Sequence, residues 1–263
     1  MTTKNIGSEG FKWFFGYVVD TNDTENLGMV KVRVPHIHGN MAAEEIPWAT
    51  LVMPPHAASL YEVGISPTGI EVGSMVFGFF ADGNEHNIPI VIGTINKINE
   101  NDKSKHDVSK LARGTQSLRK KPFGFEPPSA YKAKYPYNKT YTTKSGHAVE
   151  FDDTPGQERI HIYHKTGTYV EMNKDGRMVT KVEGENYEVT MKDKKVTIGG
   201  NMDVVINGNV NIKVNGDYNL TARSINLNNG SKGAARVGDP VPDTESDGTQ
   251  GIGSGSSSVF IGG

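Results

Sequence analysis

A repeat of eight residues constrains this chain more than any other feature of its sequence. Its markers are four glycines: Gly184, Gly200, Gly208 and Gly216. The last three are eight residues apart, and Gly184 lies two repeats before Gly200, with Lys192 at the intermediate position. A β-branched residue stands two positions before each glycine: Val182, Ile198, Ile206 and Val214. We therefore interpret residues 182–220 as a series of octads.

The octad length suits one short strand and one bend. Eight extended residues span at most about 26–29 Å, which is a strand of ordinary length plus a tight turn. We expect the octad glycines to supply the positive φ that a turn demands. Because alternate residues of a strand face opposite sides, we expect the β-branched positions to form an octad core.

One octad carries too little apolar surface to be stable alone, so repeats of this kind must stack on neighbours. Stacking within one slender chain would leave much of the Val/Ile face in water. The sequence therefore predicts several identical chains wound together, in a number that the period does not fix. The alternative is an ordinary β-meander with chance glycines. The register kept across Lys192 and the surface-like stretch "MKDKK" count against it.

Composition excludes several classes of function. The formal net charge is -2, which favours neither nucleic acid nor a membrane surface. The chain has no cysteine, and so no disulfide, thiolate metal site or cysteine nucleophile. No apolar run approaches the ~20 residues of a membrane helix. We expect no signal peptide, because the first residues lack a basic region followed by an apolar run.

The rest of the chain predicts an all-β protein. Short aromatic and β-branched runs separated by turn residues fill the first ~95 residues and predict a small barrel. Residues 99–139 are basic, proline-bearing and poor in β-branched residues, which is typical of a linker. Alternating strands return near Thr140, and residues 229–263 are rich in glycine and serine.

Long motifs give the chain a family resemblance. "SGHAVEFDDTPGQERIHIYHKTGTYVEMNKDG" (145–176) followed by valine–glycine octads resembles the central spike of T-even-like contractile phage tails. It is also similar to the VgrG spikes of type VI secretion. "FFGYVVDTNDTENLGMVKVRVPHIHG", "VGSMVFGFFADG" and "PIVIGTI" resemble the oligonucleotide/oligosaccharide-binding (OB) barrel of the same family.

The resemblance implies a homotrimer that works mechanically. Residues 1–98 would be an OB-fold domain bound to the baseplate hub protein, and 99–139 a linker. Residues 140–228 would intertwine as a triple-stranded β-helix, a needle that sheath contraction drives through the host outer membrane. The implied location is the tail baseplate of the virion.

One departure from the family predicts that the chain is not an enzyme. T-even spikes carry a lysozyme domain between barrel and shaft, and residues 99–139 are too few for one. Glycoside hydrolysis usually needs two carboxylates across a sugar cleft. The acids of this segment, Glu100, Asp102, Asp107 and Glu126, lie in a stretch without a core to hold them. We therefore expect no muramidase activity, no catalytic residue and no cofactor.

The C-terminal segment 229–263 resembles part of a PAAR tip, the cone that caps such spikes. "RVGDP" and "GSSSVFIGG" carry this likeness through Val237, Gly238, Asp239, Val259, Phe260 and Ile261. PAAR tips hold a metal with histidine and cysteine. Because the last histidine is His164, we expect no metal here, and a role in closing the shaft or docking a separate tip protein.

Other candidate sites have plainer explanations. His36 and His38 would share a strand face, and His161 and His164 would not, so we expect structural or surface roles for both pairs. Adjacent Asp152 and Asp153 would face opposite ways beside a turn. A set of aromatics could stack on sugar or bases, but hub packing or core is favoured because basic residues do not line it. The set is Trp13, Phe14, Phe15, Trp48, Phe77, Phe79 and Phe80.

Two rival functions stay open from the sequence. A VgrG-like spike of a type VI or extracellular injection system would use the same machine. We favour a phage tail because the large N-terminal hub domains usually fused in secretion spikes are not seen. A trimeric β-helical polysaccharide depolymerase would need paired acids in a groove. The octads offer only scattered ones, namely Glu183, Glu185, Asp203 and Asp217.

Overall fold

The fold is almost entirely β-structure. A computed structural model describes residues 6–7, 10–60, 63–96 and 124–225. The first group of elements is β1 (Lys12–Asp20), β2 (Val30–Arg33), helix α1 (Pro35–His38), a 3₁₀ turn (Ala43–Glu45), β3 (Trp48–Leu51), β4 (Met75–Phe80) and β5 (Pro89–Thr94). The second is β6 (Asn138–Thr142), β7 (Ala148–Asp152), β8 (Arg159–Tyr163), β9 (Tyr169–Asn173) and β10 (Met178–Lys181).

The first five strands close into a barrel in the order β1-β2-β3-β5-β4. β3 and β5 pair in parallel, whereas the other barrel pairs are antiparallel. The barrel encloses an aliphatic and aromatic core that includes Phe14, Val18, Val32, Val76 and Phe80. Closure removes the free strand edges that a small open sheet would expose. The prediction of an all-β chain with an N-terminal barrel is confirmed.

The barrel aromatics divide between the core and the outer surface. Phe14 and Phe80 are buried and lie 4.9 Å apart, centre to centre. Trp13 and Phe15 are more than half exposed on β1. The Trp13 ring stacks on Phe77 of β4, with ring centres 5.3 Å apart and planes within 5°. The outer faces of β1 and β4 therefore carry an aromatic patch that lies outside the barrel core.

The first histidine pair is not in a strand. His36 and His38 lie in α1, where His38 is buried and His36 is exposed. Proline at the start of α1 favours this helical turn because its φ is already fixed. The strand geometry expected for "PHIH" is therefore wrong, since residues two apart on a helix do not share a face.

The second sheet is an antiparallel meander with the order β10-β9-β8-β7-β6. Its registers run without a bulge through the three central strands, as in Glu150↔His161 and His161↔Glu171. Residues 190–225 belong to a separate unit of the chain. They bend at regular intervals and form no assigned helix or strand. No helix in the described part of the chain is long and apolar enough to cross a membrane.

The barrel offers a matched pair of glycine tests. A Cβ on Gly78 would lie 2.1 Å from the carbonyl oxygen of Ile90, whereas a Cβ on Gly93 would meet nothing within 4 Å. We expect Gly78→Ala to lower the free energy of unfolding by about 1–3 kcal/mol, as overpacking does. Gly93→Ala should change it by less than about 0.5 kcal/mol. Tryptophan fluorescence in denaturant reports the barrel alone, because Trp13 and Trp48 both lie there. Equal changes in the free energy of unfolding for the two variants would contradict the close approach of β4 and β5.

Barrel stability should fall in mild acid because of His38. Burial lowers the pKa of His38, and the nearby charges of Arg33 and His86 add to the shift. The unfolded chain then takes up a proton first as the pH falls through about 6.5. The stabilisation is therefore complete above that pH and is lost below it. In His38→Asn, which keeps an acceptor for the N–H of Val34, the fluorescence-monitored slope between pH 7 and 5 should be shallower, by up to about 1 kcal/mol per pH unit. An unchanged slope would assign the acid sensitivity to other groups.

Candidate assembly site

The second sheet has an exposed apolar face. Strand alternation places one set of side chains on a single side of β6–β10, and we call this side the apolar face. Its members are Tyr141, Val149, Phe151, Ile160, Ile162, Val170, Met172 and Met178. Phe151 and Ile162 are each 51% exposed, and Tyr141 is 69% exposed. A monomeric sheet normally turns such a row inward, so this face lacks the layer that would cover it.

The opposite side, the charged face, is buried. The Arg159 guanidinium donates to the Glu150 carboxylate through Nη2 and to Glu171 Oε2, 3.0 Å away, through Nη1. The side chains of Arg159 and Glu150 are fully buried, and Glu171 is nearly so. His161 Nδ1 lies 3.5 Å from Glu150 Oε1. Charge-assisted bonds of this kind are strong, and each partner offsets the cost of burying the other.

Residues 124–137, which we call the strap, cover the charged face. Ser129 Oγ and the Ala130 N–H both donate to the carboxylate of Glu171, at 2.9 and 3.1 Å. The Tyr131 ring lies 5.0 Å from the Arg159 guanidinium carbon in a cation–π contact. The Lys134 N–H donates to Thr154 Oγ1 at 3.0 Å. The strap therefore supplies the layer that keeps water from the buried charges.

Glu126 fixes the start of the strap. Its carboxylate accepts a 2.6 Å bond from the Tyr169 hydroxyl and pairs with Lys181 Nζ at 2.8 Å. The hydrogen bond to Glu126 raises the pKa of Lys181, with a further bond to Glu183 acting the same way. The expectation that this acid lies in a segment without a core is wrong, because the strap docks on the sheet. Glu100, Asp102 and Asp107 lie outside the described residues.

The aspartate pair follows the alternation predicted for it. Asp152 is buried and accepts from the N–H and hydroxyl of Thr154, at 3.0 and 2.6 Å. Asp153 is exposed and pairs with Lys139. The two carboxylates face opposite ways and hold a turn and a surface contact. They form no catalytic pair.

The octad glycines lie at bends, but these bends are not the left-handed turns that the sequence predicted. The chain bends at 183–184, 191–192, 199–200, 207–208 and 215–216, once in every octad. None of Gly184, Gly200, Gly208 and Gly216 has a positive φ. The expectation of a left-handed turn is therefore wrong. The ordinary φ explains how Lys192 occupies the same position. A Cβ at any of these glycines meets nothing within 4 Å of its own chain.

The octad core positions are exposed in the single chain. Ile198, Ile206 and Val214 retain 48%, 50% and 46% of their accessible surface, and Val182 retains 37%. Other apolar octad residues are still more exposed, such as Val204 at 63%. The prediction that these positions are a core stays a prediction, because nothing in one chain covers them.

Some predicted sites fall outside the described residues. These are the tip residues Val237, Gly238, Asp239, Val259, Phe260 and Ile261, and most of the linker, 97–123. Within the described ranges, no group of three or more His, Asp or Glu is arranged to hold a metal ion. Of the acids considered for a depolymerase, Glu183 pairs with Lys181 and Glu185 accepts from the Tyr187 hydroxyl.

Sequence reasoning missed both the strap and the charge network. The strap has no periodicity and contains Pro127, Pro128 and Pro136, so it reads as a linker. The network did leave a signal, because Glu150, Arg159, His161 and Glu171 alternate with apolar residues in their strands. Alternation alone does not say which side is buried, and the usual assumption puts the apolar side inward.

Comparisons with known proteins match the barrel region and, for one relative, about three quarters of the chain. The Gp5 N-terminal OB domain family matches residues 31–117. Protein Gp5 of Vibrio phage KVP40 is 30% identical over 269 residues, covering 76% of this chain and 64% of that protein. The pre-baseplate central spike protein Gp5 of Enterobacteria phage T4 is 46% identical over 84 residues, covering 29% of this chain and 15% of that protein. The chain thus spans less than two thirds of either relative.

The barrel and these matches define the class, which is a phage baseplate protein with an N-terminal OB barrel. Within that class the chain is similar to the T4-like central spike proteins.

The charge network gives a direct stability test. Arg159→Met should leave Glu150 and Glu171 buried without their cation and cost about 3–5 kcal/mol. Lys174→Met is the matched control, since it breaks an ion pair with Asp175 that is largely exposed, and it should cost less than about 1 kcal/mol. Thermal unfolding followed by circular dichroism compares the two. Similar small effects would mean that the buried network contributes no more than a surface pair.

Proposed function

We propose that this chain is a homotrimeric, non-enzymatic central spike that punctures the host outer membrane when a contractile tail fires. The observation that carries the proposal is the second sheet, which buries its charges and exposes its apolar side chains. Three copies that pack their apolar faces together would form a rigid shaft. Its location would be the virion tail baseplate, as the name of the T4 relative indicates for that protein.

The apolar face supports a homo-oligomer by its composition. It presents aliphatic, methionine and aromatic side chains from all five strands of the sheet. Exposed contiguous apolar patches mark interaction sites in soluble proteins. Obligate interfaces resemble a domain core cut in half, and this face matches that description. Burial at about 25 cal/mol per Å² of apolar surface would supply the association energy.

The octad segment supports the same assembly. Residues 190–225 have no ladder of backbone hydrogen bonds to other described residues. An extended backbone without such bonds is unstable alone, because folding normally pairs these groups. Neighbouring copies would provide the missing strands and cover Ile198, Ile206 and Val214. In this arrangement the octad glycines leave space where copies approach, without needing a positive φ.

The aromatic patch on the barrel supports docking to another baseplate protein, the hub. It is stacked and largely exposed at Trp13 and Phe15. Aromatic residues are enriched at the cores of protein interfaces. A separate tip protein at the C-terminus is the further partner that we propose from the sequence of residues 229–263. We propose no nucleic-acid partner.

The proposal of a non-enzymatic chain has support from the comparison with Vibrio phage KVP40. That alignment extends over 269 residues but covers 76% of the 263-residue chain. The relative therefore has residues within the matched region that have no counterpart here. Three of the described acids have separate partners: Glu126 binds Tyr169 and Lys181, Glu183 pairs with Lys181, and Glu185 accepts from Tyr187.

The trimer can be tested by placing a charge on the apolar face. The full chain should have three times the chain mass in multi-angle light scattering. Ile162→Glu should reduce that mass to one chain, because burying three carboxylates in an apolar interface is costly. Lys132→Glu is the control, since it adds an acid at an exposed strap position, and it should remain a trimer.

Circular dichroism and tryptophan fluorescence would establish that the Ile162→Glu monomer keeps its sheet and barrel. A wild-type monomer at all concentrations would overturn the spike proposal. A trimer that survives Ile162→Glu would place assembly away from the apolar face.

A further inference from the structure

Two histidines meet at one end of the second sheet. Ala148 of β7 pairs with Tyr163 of β8, so His147 and His164 occupy the next cross-strand position. Their ring centres are 4.4 Å apart and the ring planes are tilted by 46°. This pair differs from the one considered in the sequence, because His161 is buried on the charged face and His164 is exposed.

Both backbones are fixed by hairpin turns. The Thr143 N–H donates to the carbonyl of His147, and the His164 N–H donates to the carbonyl of Thr168, at 2.9 and 2.8 Å. By strand alternation both side chains lie on the side of Val149 and Ile162. The imidazoles are thus held together by a rigid sheet.

The separation of the rings suits a shared metal ion. A metal–nitrogen bond is about 2.1 Å, and the ring centre lies about 1.2 Å behind the nitrogen. Two imidazoles at right angles around one ion then have centres about 4.7 Å apart. The observed 4.4 Å is close to that separation, so a small rotation of the side chains would bring the rings to it.

Thr166 can orient one of the rings. Its Oγ1 lies 2.8 Å from Nδ1 of His164. When Nδ1 carries the proton it donates to this hydroxyl, and the lone pair of Nε2 is left for a metal, as in many histidine sites. In the other tautomer Nδ1 accepts from the Thr166 N–H at 3.3 Å. The Lys165 N–H is 3.5 Å from Nδ1 of His147, too long to fix the tautomer of that ring.

We propose that His147 and His164 form a two-imidazole chelate for a first-row divalent transition metal. Nitrogen ligands favour Zn²⁺, Ni²⁺ and Cu²⁺ over Mg²⁺ and Ca²⁺. Water would fill the remaining coordination positions, since no third described residue completes the group. One nearby cation, Lys144, is already paired with Glu71 at 2.8 Å. Both ligands belong to one chain, so a single chain carries the complete pair of imidazoles.

Calorimetric titration of the untagged full chain with Ni²⁺ tests this proposal. We expect one ion per chain, and an affinity at least tenfold weaker in His147→Ala and in His164→Ala. His56→Ala, which removes an exposed histidine of the barrel, should bind as the wild type does. Cu²⁺ should show nitrogen hyperfine coupling in electron paramagnetic resonance that both site variants lose.

Thr166→Val keeps both ligands and removes the oriented hydroxyl. We expect it to weaken Ni²⁺ binding by about tenfold, as second-sphere changes do, with unchanged thermal unfolding in EDTA. Absence of Ni²⁺ binding to the wild type would overturn the proposal. So would binding that neither histidine replacement weakens. Light scattering in EDTA separates this result from the assembly, because a wild-type trimer without metal leaves the spike proposal intact.

Discussion

The enclosure of the Arg159 guanidinium between Glu150 and Glu171 determines which side of the second sheet faces inward. Because these charges are paired beneath the strap, turning the sheet over would break their bonds, and the apolar side therefore remains outward. Buried ion pairs often add little net stability over an apolar core, and their best-attested role is specificity. Here the network would specify orientation, since a purely apolar sheet could present either side to a neighbour.

The barrel and the second sheet differ in how their apolar side chains are covered. The barrel closes on itself, buries an apolar interior and leaves aromatic rings outside. The meander remains open, with β6 and β10 at its edges. Its inner layer is polar and is covered by only fourteen residues of strap, 124–137. A closed barrel covers its apolar core within one chain, whereas the open sheet leaves an apolar side that the proposed trimer would cover.

Sequence periodicity predicted the strands and the barrel because alternation and turn residues act locally. It also located the octad bends, since the bend recurs at the glycines and at Lys192. It failed wherever a contact between distant segments decides the result. The strap is a linker by composition, and it docks through residues far along the chain, such as Glu171 and Arg159. The alternation of residues could not predict that the second sheet buries its charged side and exposes its apolar side, because the same pattern fits either orientation. The meeting of His147 with His164 depends on the β7–β8 register, which the sequence does not state.

The eight-residue spacing of the bends determines how the octad segment can become longer or shorter. Eight is an even number, so removing or adding one octad keeps every following side chain on its original face, whereas seven or nine residues would reverse them all. The bends use an ordinary φ, so a new octad needs no special residue at its bend, as Lys192 illustrates. A shaft of the proposed kind would therefore be modular. Its length would change in whole octads through gene duplication or deletion, while the faces through which the proposed copies contact one another would stay the same.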